Sequence, residues 1–209
     1  MENPTIDKMG IVFVNMKNII STKDRLADAF LTCLEDTNYT KIKASTVARM
    51  CAVDRQTFYY WFKDTEDVLR YLLHREFHPD PAEGFWPDDL EEGRALFLEL
   101  AEAKRTLLNT LLASPVRNEG IMAWYHLMVR GFAQRFDAKI QLISNNKLRE
   151  SIQSSKDYFA MSMSIATISS DECWIRGGMF EVTKENLIRM ELQVADDCLK
   201  GIIARHKEM

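Results

Sequence analysis

The sequence is poor in residues that make turns. Its 209 residues include only eight glycines and five prolines, below the average shares of roughly 7% and 5%. That scarcity excludes a chain of many short strands joined by tight turns and predicts a mostly helical one. Cysteine is sparse as well. Cys33, Cys51, Cys173 and Cys198 lie far apart, with no C-x-x-C pair and no histidine at metal-ligand spacing, so they read as reduced, mostly buried thiols. No apolar stretch approaches the ~18 residues of a membrane-spanning helix. The run Ile11-Val12-Phe13-Val14 follows Glu2 and Asp7 and lacks a small-residue cleavage site, so it does not read as a signal core. The expected location is the cytoplasm, without a membrane partner.

Catalytic signatures are missing too. There is no phosphate loop, nucleophile elbow, metal cluster or carboxylate pair with a histidine, so the expectation is no enzyme, no catalytic residue, no metal and no cofactor. His74 and His78 stand at i, i+4 on a helical pattern, a spacing that suits a transition metal. Beyond Glu76 or Asp80 they have no evident third ligand. A basic excess is also lacking. Lys and Arg number 27 against 31 Asp and Glu, a net charge of −4, which taken whole discourages a nucleic-acid partner.

What is present is an ordinary globular composition, 46% hydrophobic and 28% charged with eleven methionines, arranged in helical stripes. Residues 1–20 read as an N-terminal arm or extra helix, with Met16-Lys17-Asn18-Ile19 itself a plausible start. From Ser21 or Thr22, either able to cap, the stripe Leu26, Ala27, Phe30, Cys33 and Leu34 predicts a first helix that breaks at Asn38-Tyr39-Thr40. A short second helix follows Lys43-Ala44-Ser45. Asp54 caps a third, Arg55 to about Phe62, and Asp64 a fourth carrying Val68, Leu69, Leu72, Leu73 and Phe77. Pro79, Pro81 and Pro87, with Gly84 and Asp88-Asp89, mark a linker. Longer helices then read over about 89–101, 104–113 and 118–143. The polar stretch 144–155 reads as a loop or short helix. Two helices close the chain, over about 157–176, ended by Gly177-Gly178, and 184–205, capped by Thr183.

The informative stretch runs from Thr46 to Phe62. Two short helices flank a tight turn, the layout of a helix-turn-helix. Ala48, Val53 and Phe58 are its expected internal core, and Phe62 is expected to fix the pair onto the first helix. Arg55, Gln56, Thr57, Tyr59 and Tyr60 are left pointing outward, and two exposed tyrosines beside Arg and Gln suit a partner surface.

The string Val53-Asp54-Arg55-Gln56-Thr57-Phe58-Tyr59-Tyr60-Trp61-Phe62, followed by Glu66-Asp67-Val68-Leu69, resembles the signature of the TetR (tetracycline-repressor) family of transcription regulators. Arg-Gln-Thr-Phe-Tyr-Tyr is similar to the branch that includes regulators of dihydroxyacetone metabolism. The match covers residues 22–78; the rest agrees in helix count and in the Trp174-Ile-Arg-Gly-Gly turn. Two positions depart from the family. Ala52 stands where it usually has Gly at the helix–helix turn, and Thr65 where it commonly has Lys, with Lys63 nearby as a substitute phosphate contact.

The resemblance implies an all-α protein: an N-terminal helix-turn-helix domain over 21–64, a connecting helix and linker over 65–88, and a helical effector-binding and dimerisation domain over 89–209. It implies a cytoplasmic DNA-binding regulator, by family default a repressor, controlled by a small-molecule effector. The alternative is an all-α small-molecule-binding protein or enzyme that has lost operator binding. The third helix is expected in the major groove of double-stranded operator DNA. There Arg55 and Gln56 suit guanine and adenine edges, and Thr57 and Tyr60 a thymine methyl or a phosphate. Tyr59, Lys43, Ser45, Thr46 and Lys63 are expected mainly to position the backbone.

A homodimer through the last two helices is expected. Tyr158 to Ser170 carries no charge for thirteen residues, which suits a helix packed on all sides, and Leu187, Met190, Val194, Cys198 and Ile202 form a stripe. The effector pocket is expected among Phe97, Trp124, Tyr125, Met128, Phe132 and Met161 or Phe159, with His126 the polar candidate.

The distribution of charge reverses what the total implies. Residues 41–63 hold Lys41, Lys43, Arg49, Arg55 and Lys63 against Asp54, a local +4, which leaves 22 basic and 30 acidic groups elsewhere. A small basic head on an acidic body makes tight DNA binding depend on two heads acting together.

Overall fold

The structure, a computed structural model, describes residues 21–78, 86–178 and 181–208. The expectations for residues 1–20 and for Pro79, Pro81 and Gly84 lie outside the described residues. Among the described residues there are ten α-helices and no strand. The chain divides between Thr65 and Glu66 into two units.

The first unit is built from α1 (Thr22–Asp36), α2 (Ala44–Met50) and α3 (Arg55–Trp61). Ser21 is the cap of α1: its hydroxyl accepts from the Asp24 N–H at 3.1 Å and donates to the Asp24 carboxylate at 2.6 Å, satisfying one of the donors that a helix start leaves open. The break after α1 is a single 3-10 turn, Tyr39–Lys41, capped by Asn38. Leu26, Ala27, Phe30 and Leu34 of α1, Val47, Ala48 and Cys51 of the α2 segment, and Phe58 and Phe62 form the core. Val53 is only half-buried, and it contributes its N–H, which bonds the Ala48 carbonyl at 3.1 Å. Arg25 and Cys51 tie α1 to the end of α2. The guanidinium donates to the Cys51 carbonyl at 2.6 Å, and the thiol donates to the Arg25 carbonyl at 3.2 Å.

The second unit holds α4 (Thr65–Phe77), α5 (Leu90–Ala103), α6 (Arg105–Leu112), α7 (Arg117–Gln141), α8 (Asn146–Gln153), α9 (Lys156–Ile175) and α10 (Lys184–Glu208). The polar stretch 144–155 thus contains a helix. Asn145 caps it through the Leu148 N–H at 3.1 Å, and Ile152 anchors it fully buried. The α7–α9 pairing is the most extensive of the unit, with Phe132 and Phe136 of α7 set around Phe159 of α9 at 6.4 and 5.5 Å between ring centroids. Gly177 ends α9 at φ 69°, a left-handed position where glycine avoids a Cβ penalty. Arg105 donates to the last carbonyls, of Trp174 and Ile175, at 3.1 and 2.9 Å. Thr183 caps α10, its hydroxyl accepting from Asn186 N–H at 3.3 Å.

α9 is not packed on all sides within the chain. Tyr158, Met161 and Ile165 are exposed, and so are Met190 and Val194 of α10. The expected stripe on α10 divides accordingly. Leu187 joins Ile188, Leu192, Ala195 and Leu199 on the buried face, while Met190, Val194 and Cys198, four residues apart, stay on the outer one. At about 100° per residue, the step of three from Leu187 to Met190 turns about 60° away from the buried face, and each later step of four returns only about 40°.

Candidate functional site

The first site is the outer surface of α2 and α3. Asp54 starts α3, its carboxylate accepting from the Thr57 N–H at 2.7 Å and from the Thr57 hydroxyl at 3.0 Å. These bonds hold the Asp54 carboxyl below its ordinary value, the backbone bond contributing most. They also commit the Thr57 hydroxyl to the cap, so Thr57 is half-buried and offers no free O–H outward. Phe58 faces inward, fully buried, 5.8 Å from the Phe62 ring. A helix with Phe58 buried turns the residues on either side outward. Arg55, Gln56, Tyr59 and Tyr60 are accordingly exposed, Tyr60 to 79%. Arg55 lies over the Tyr59 ring at 5.1 Å and donates to its hydroxyl at 2.9 Å, which orders both side chains on the surface. Lys43, Ser45 and Lys63 are exposed and Thr46 half-buried. Trp61, 38% exposed and edge-on to Tyr60 at 4.9 Å, belongs to the same surface. The unbroken aromatic run Phe58-Tyr59-Tyr60-Trp61-Phe62 was its signal.

The turn between α2 and α3 places Ala52 at φ 55°. The Ala52 N–H bonds the Arg49 carbonyl at 3.1 Å, so the left-handed residue is built into the turn although it is not glycine.

The second site is a cavity of about 70 Å³ inside the second unit. Phe97 of α5 and Trp124 of α7 stack in its wall, 3.8 Å apart at 19°, and Trp86 stands 5.2 Å from Trp124. Leu73 and Phe77 of α4, Leu108 and Leu111 of α6 and Ile175 of α9 are among its other apolar residues, and Asp171 of α9 and Arg117 of α7 also reach it. Trp86 falls in the stretch read as linker, and the leucines of α6 were given no role, so neither announced the cavity.

The remaining expected pocket residues scatter. Met128 lines a neighbouring, more polar cleft of about 290 Å³ with Trp86, Asp88, Arg130 and Gln134. Phe132 is core against Phe159. Tyr125 is half-buried, His126 is exposed, and Met161 is 40% exposed on α9; none of these last four lines either cavity. Helical spacing put Trp124, Met128 and Phe132 on one stripe, but the cavity occupies only one end of it.

Behind the cavity lies a buried ionic cluster. Arg94 of α5 donates to both Asp171 oxygens at 2.7 Å and to Glu191 of α10 at 2.5 Å. The Trp124 indole N–H also donates to Asp171, at 3.1 Å. Burial works against the Arg94 charge, but the two carboxylates outweigh it and hold the guanidinium above its ordinary value. Burial pushes the Asp171 carboxyl upward against the pull of Arg94 and Trp124. It pushes Glu191 up to about 7, with the Asp171 charge adding to it. Glu191 Oε1 is buried without a hydrogen-bond partner. His74 is exposed and His78 half-buried, and Glu76 is engaged by Arg75 and Lys104.

No protein-family model matches the chain. Over 69 residues it is 32% identical to the HTH-type dhaKLM operon transcriptional activator DhaS of Lactococcus lactis subsp. lactis (strain IL1403). That stretch is 33% of this chain and 37% of the relative, so the match spans little more than a third of the curated protein. A solved structure, the dihydroxyacetone kinase operon activator DhaS, shares the fold, with TM-score 0.59 and 19% identity over 88% of this chain and 97% of that one. Both are transcriptional regulators rather than enzymes. No described helix is long and apolar enough to cross a membrane. The chain is thus similar to the HTH-type regulator DhaS in sequence over a third of its length, and it shares the fold of a DhaS structure over most of it.

Proposed function

We propose that the chain is a dimeric DNA-binding transcription regulator whose second unit takes a small-molecule effector. The observation that carries this reading is the Asp54-capped α3, which presents Arg55, Gln56, Tyr59 and Tyr60 on one open surface beside Lys43, Ser45, Thr46 and Lys63. Arg55 and Gln56 bring the donors and acceptors suited to guanine and adenine edges. Tyr60 reaches a thymine methyl or a phosphate, and Thr57 acts through its methyl group because the cap holds its hydroxyl. Tyr59 positions Arg55. One head reads few base pairs, and two heads on half-sites about one turn apart supply the missing affinity. The exposed apolar side chains of α9 and α10, Tyr158, Met161, Ile165, Met190 and Val194, support a dimer through the last two helices. Phe97 and Trp124 support an effector site at the cavity between the middle helices.

The resemblance to the wider family implies repression. The two named relatives are operon activators, which favours activation as the sign of control. A promoter reporter with and without the regulator decides between them. The central test is fluorescence-anisotropy titration against the DNA upstream of the chain's own coding region. Affinity that falls steeply with salt is the expected outcome. Binding that is absent or insensitive to salt overturns the reading.

A further inference from the structure

The effector site proposed above has a chemistry that narrows its ligand. The wall is aromatic and aliphatic, and each polar group that reaches it already has a partner. The Trp124 N–H is held by Asp171 at 3.1 Å, and the Trp86 N–H by the His78 carbonyl at 2.6 Å. Asp171 accepts twice from Arg94. Glu172 accepts from Arg117 at 2.8 Å and from Arg176 at 2.9 Å. Arg117 also lines the cavity, its charge taken up by Glu172. An entering carboxylate or phosphate would lose its water and face the Asp171 and Glu172 carboxylates at the same wall. A polyol would exchange several bonds to water for few to protein, which is costly. A flat apolar ring loses little hydration and gains contact with the Phe97–Trp124 stack and the leucines of α6.

We infer that the cavity between α5, α6, α7 and α9 binds an uncharged, apolar, ring-sized molecule, and that it excludes small polyols and carboxylates. The inference rests on the reading that the second unit is the effector unit. It separates this chain's ligand from the dihydroxyacetone chemistry that the names of the relatives suggest.

The test uses the full chain and four probes: toluene, 4-methylbenzoate, 4-methylbenzylamine and dihydroxyacetone. Binding is read by saturation-transfer NMR and by thermal shift. The neutral ring is expected to bind at least about tenfold more tightly than either charged ring, given the cost of burying a charge, with no binding by dihydroxyacetone. Gly120→Leu grows a side chain from the cavity wall, where a Cβ would meet Leu73 at 3.4 Å. It is expected to abolish that binding while leaving DNA affinity unchanged. Ile121→Trp fills the same space if Gly120→Leu does not fold. Equal or tighter binding by a charged ring or by dihydroxyacetone overturns the inference, as does the absence of binding by all four. So does undiminished binding of the neutral ring in the filled variant. Failure of the regulator reading is distinguishable, because it appears as a lack of DNA binding by the unliganded chain.

Discussion

Arg94 and Asp171 form a bidentate pair with two bonds of 2.7 Å, and both are almost fully buried. Three ionisable groups, with Glu191, are therefore sealed among α5, α9 and α10. Removing the cation leaves two carboxylates without compensation in the interior. Breaking a buried pair in this way costs about 3–5 kcal/mol, whereas replacing all partners with apolar groups is often neutral. Arg94→Met is expected to lower stability by that amount in urea unfolding. Arg94→Met combined with Asp171→Leu and Glu191→Leu is expected to recover most of it. A single variant as stable as the parent would show that the two carboxyl groups take up protons in place of the lost cation.

Glu191 gives the cluster a pH dependence. Its folded-state value of about 7 lies above its ordinary 4.5, so the folded chain holds the proton more tightly than the unfolded one. This contribution to stability is fully present below about pH 4.5 and is lost as pH rises through 7. At 1.36 kcal/mol per pH unit the contribution is on the order of 3 kcal/mol. Glu191→Gln is expected to flatten the decline in unfolding free energy between pH 5 and 8 and to leave the variant the more stable protein at pH 8. An unchanged slope counts against the raised value.

Much of this arrangement was legible in the sequence. Apolar spacing and cap residues located the helices because both act locally: Ser21, Asp54 and Thr183 each bond an N–H three residues ahead. The exposed face of α3 was legible for the same reason, since burying Phe58 in so short a helix fixes which neighbours face out. The cavity was not. Whether Trp124 lines a void or fills core depends on how α5, α6 and α9 approach α7, and helical periodicity carries no information on that approach. The Arg94–Asp171 pair is 77 residues apart in sequence. Its one trace was Asp171, a carboxylate directly after the uncharged run that ends at Ser170.

Ala52 offers a test of strain in the first unit. At φ 55° an L-residue pays roughly 1–2 kcal/mol relative to a right-handed conformation, and glycine does not. Glycine's greater freedom in the unfolded chain offsets part of the gain, by about 0.5–1 kcal/mol. Ala52→Gly is therefore expected to stabilise by about 0.5–1 kcal/mol, and Ala52→Val to destabilise by at least as much because a β-branched side chain crowds the same conformation. Thermal unfolding of the two variants checks the order. A destabilised glycine variant would mean that the turn holds Ala52 for a packing reason.

The roles proposed for the exposed residues separate by salt and by sequence. A lysine that touches only phosphate contributes affinity on every DNA and releases counterions when it binds. Lys43→Ala is thus expected to weaken binding by a similar factor on operator and unrelated DNA, and to reduce the salt slope by about one per head. Arg55→Ala removes a side chain suited to a guanine edge, so its loss should fall mainly on the operator, at about 1–3 kcal/mol per contacted base pair. Tyr59→Phe tests whether the 2.9 Å bond from Arg55 to the Tyr59 hydroxyl positions the guanidinium. Losing that bond should reproduce part of the Arg55→Ala loss of discrimination while leaving the salt slope intact. If Tyr59→Phe lowers affinity equally on all sequences, Tyr59 contacts the backbone itself and the ordering of Arg55 is incidental.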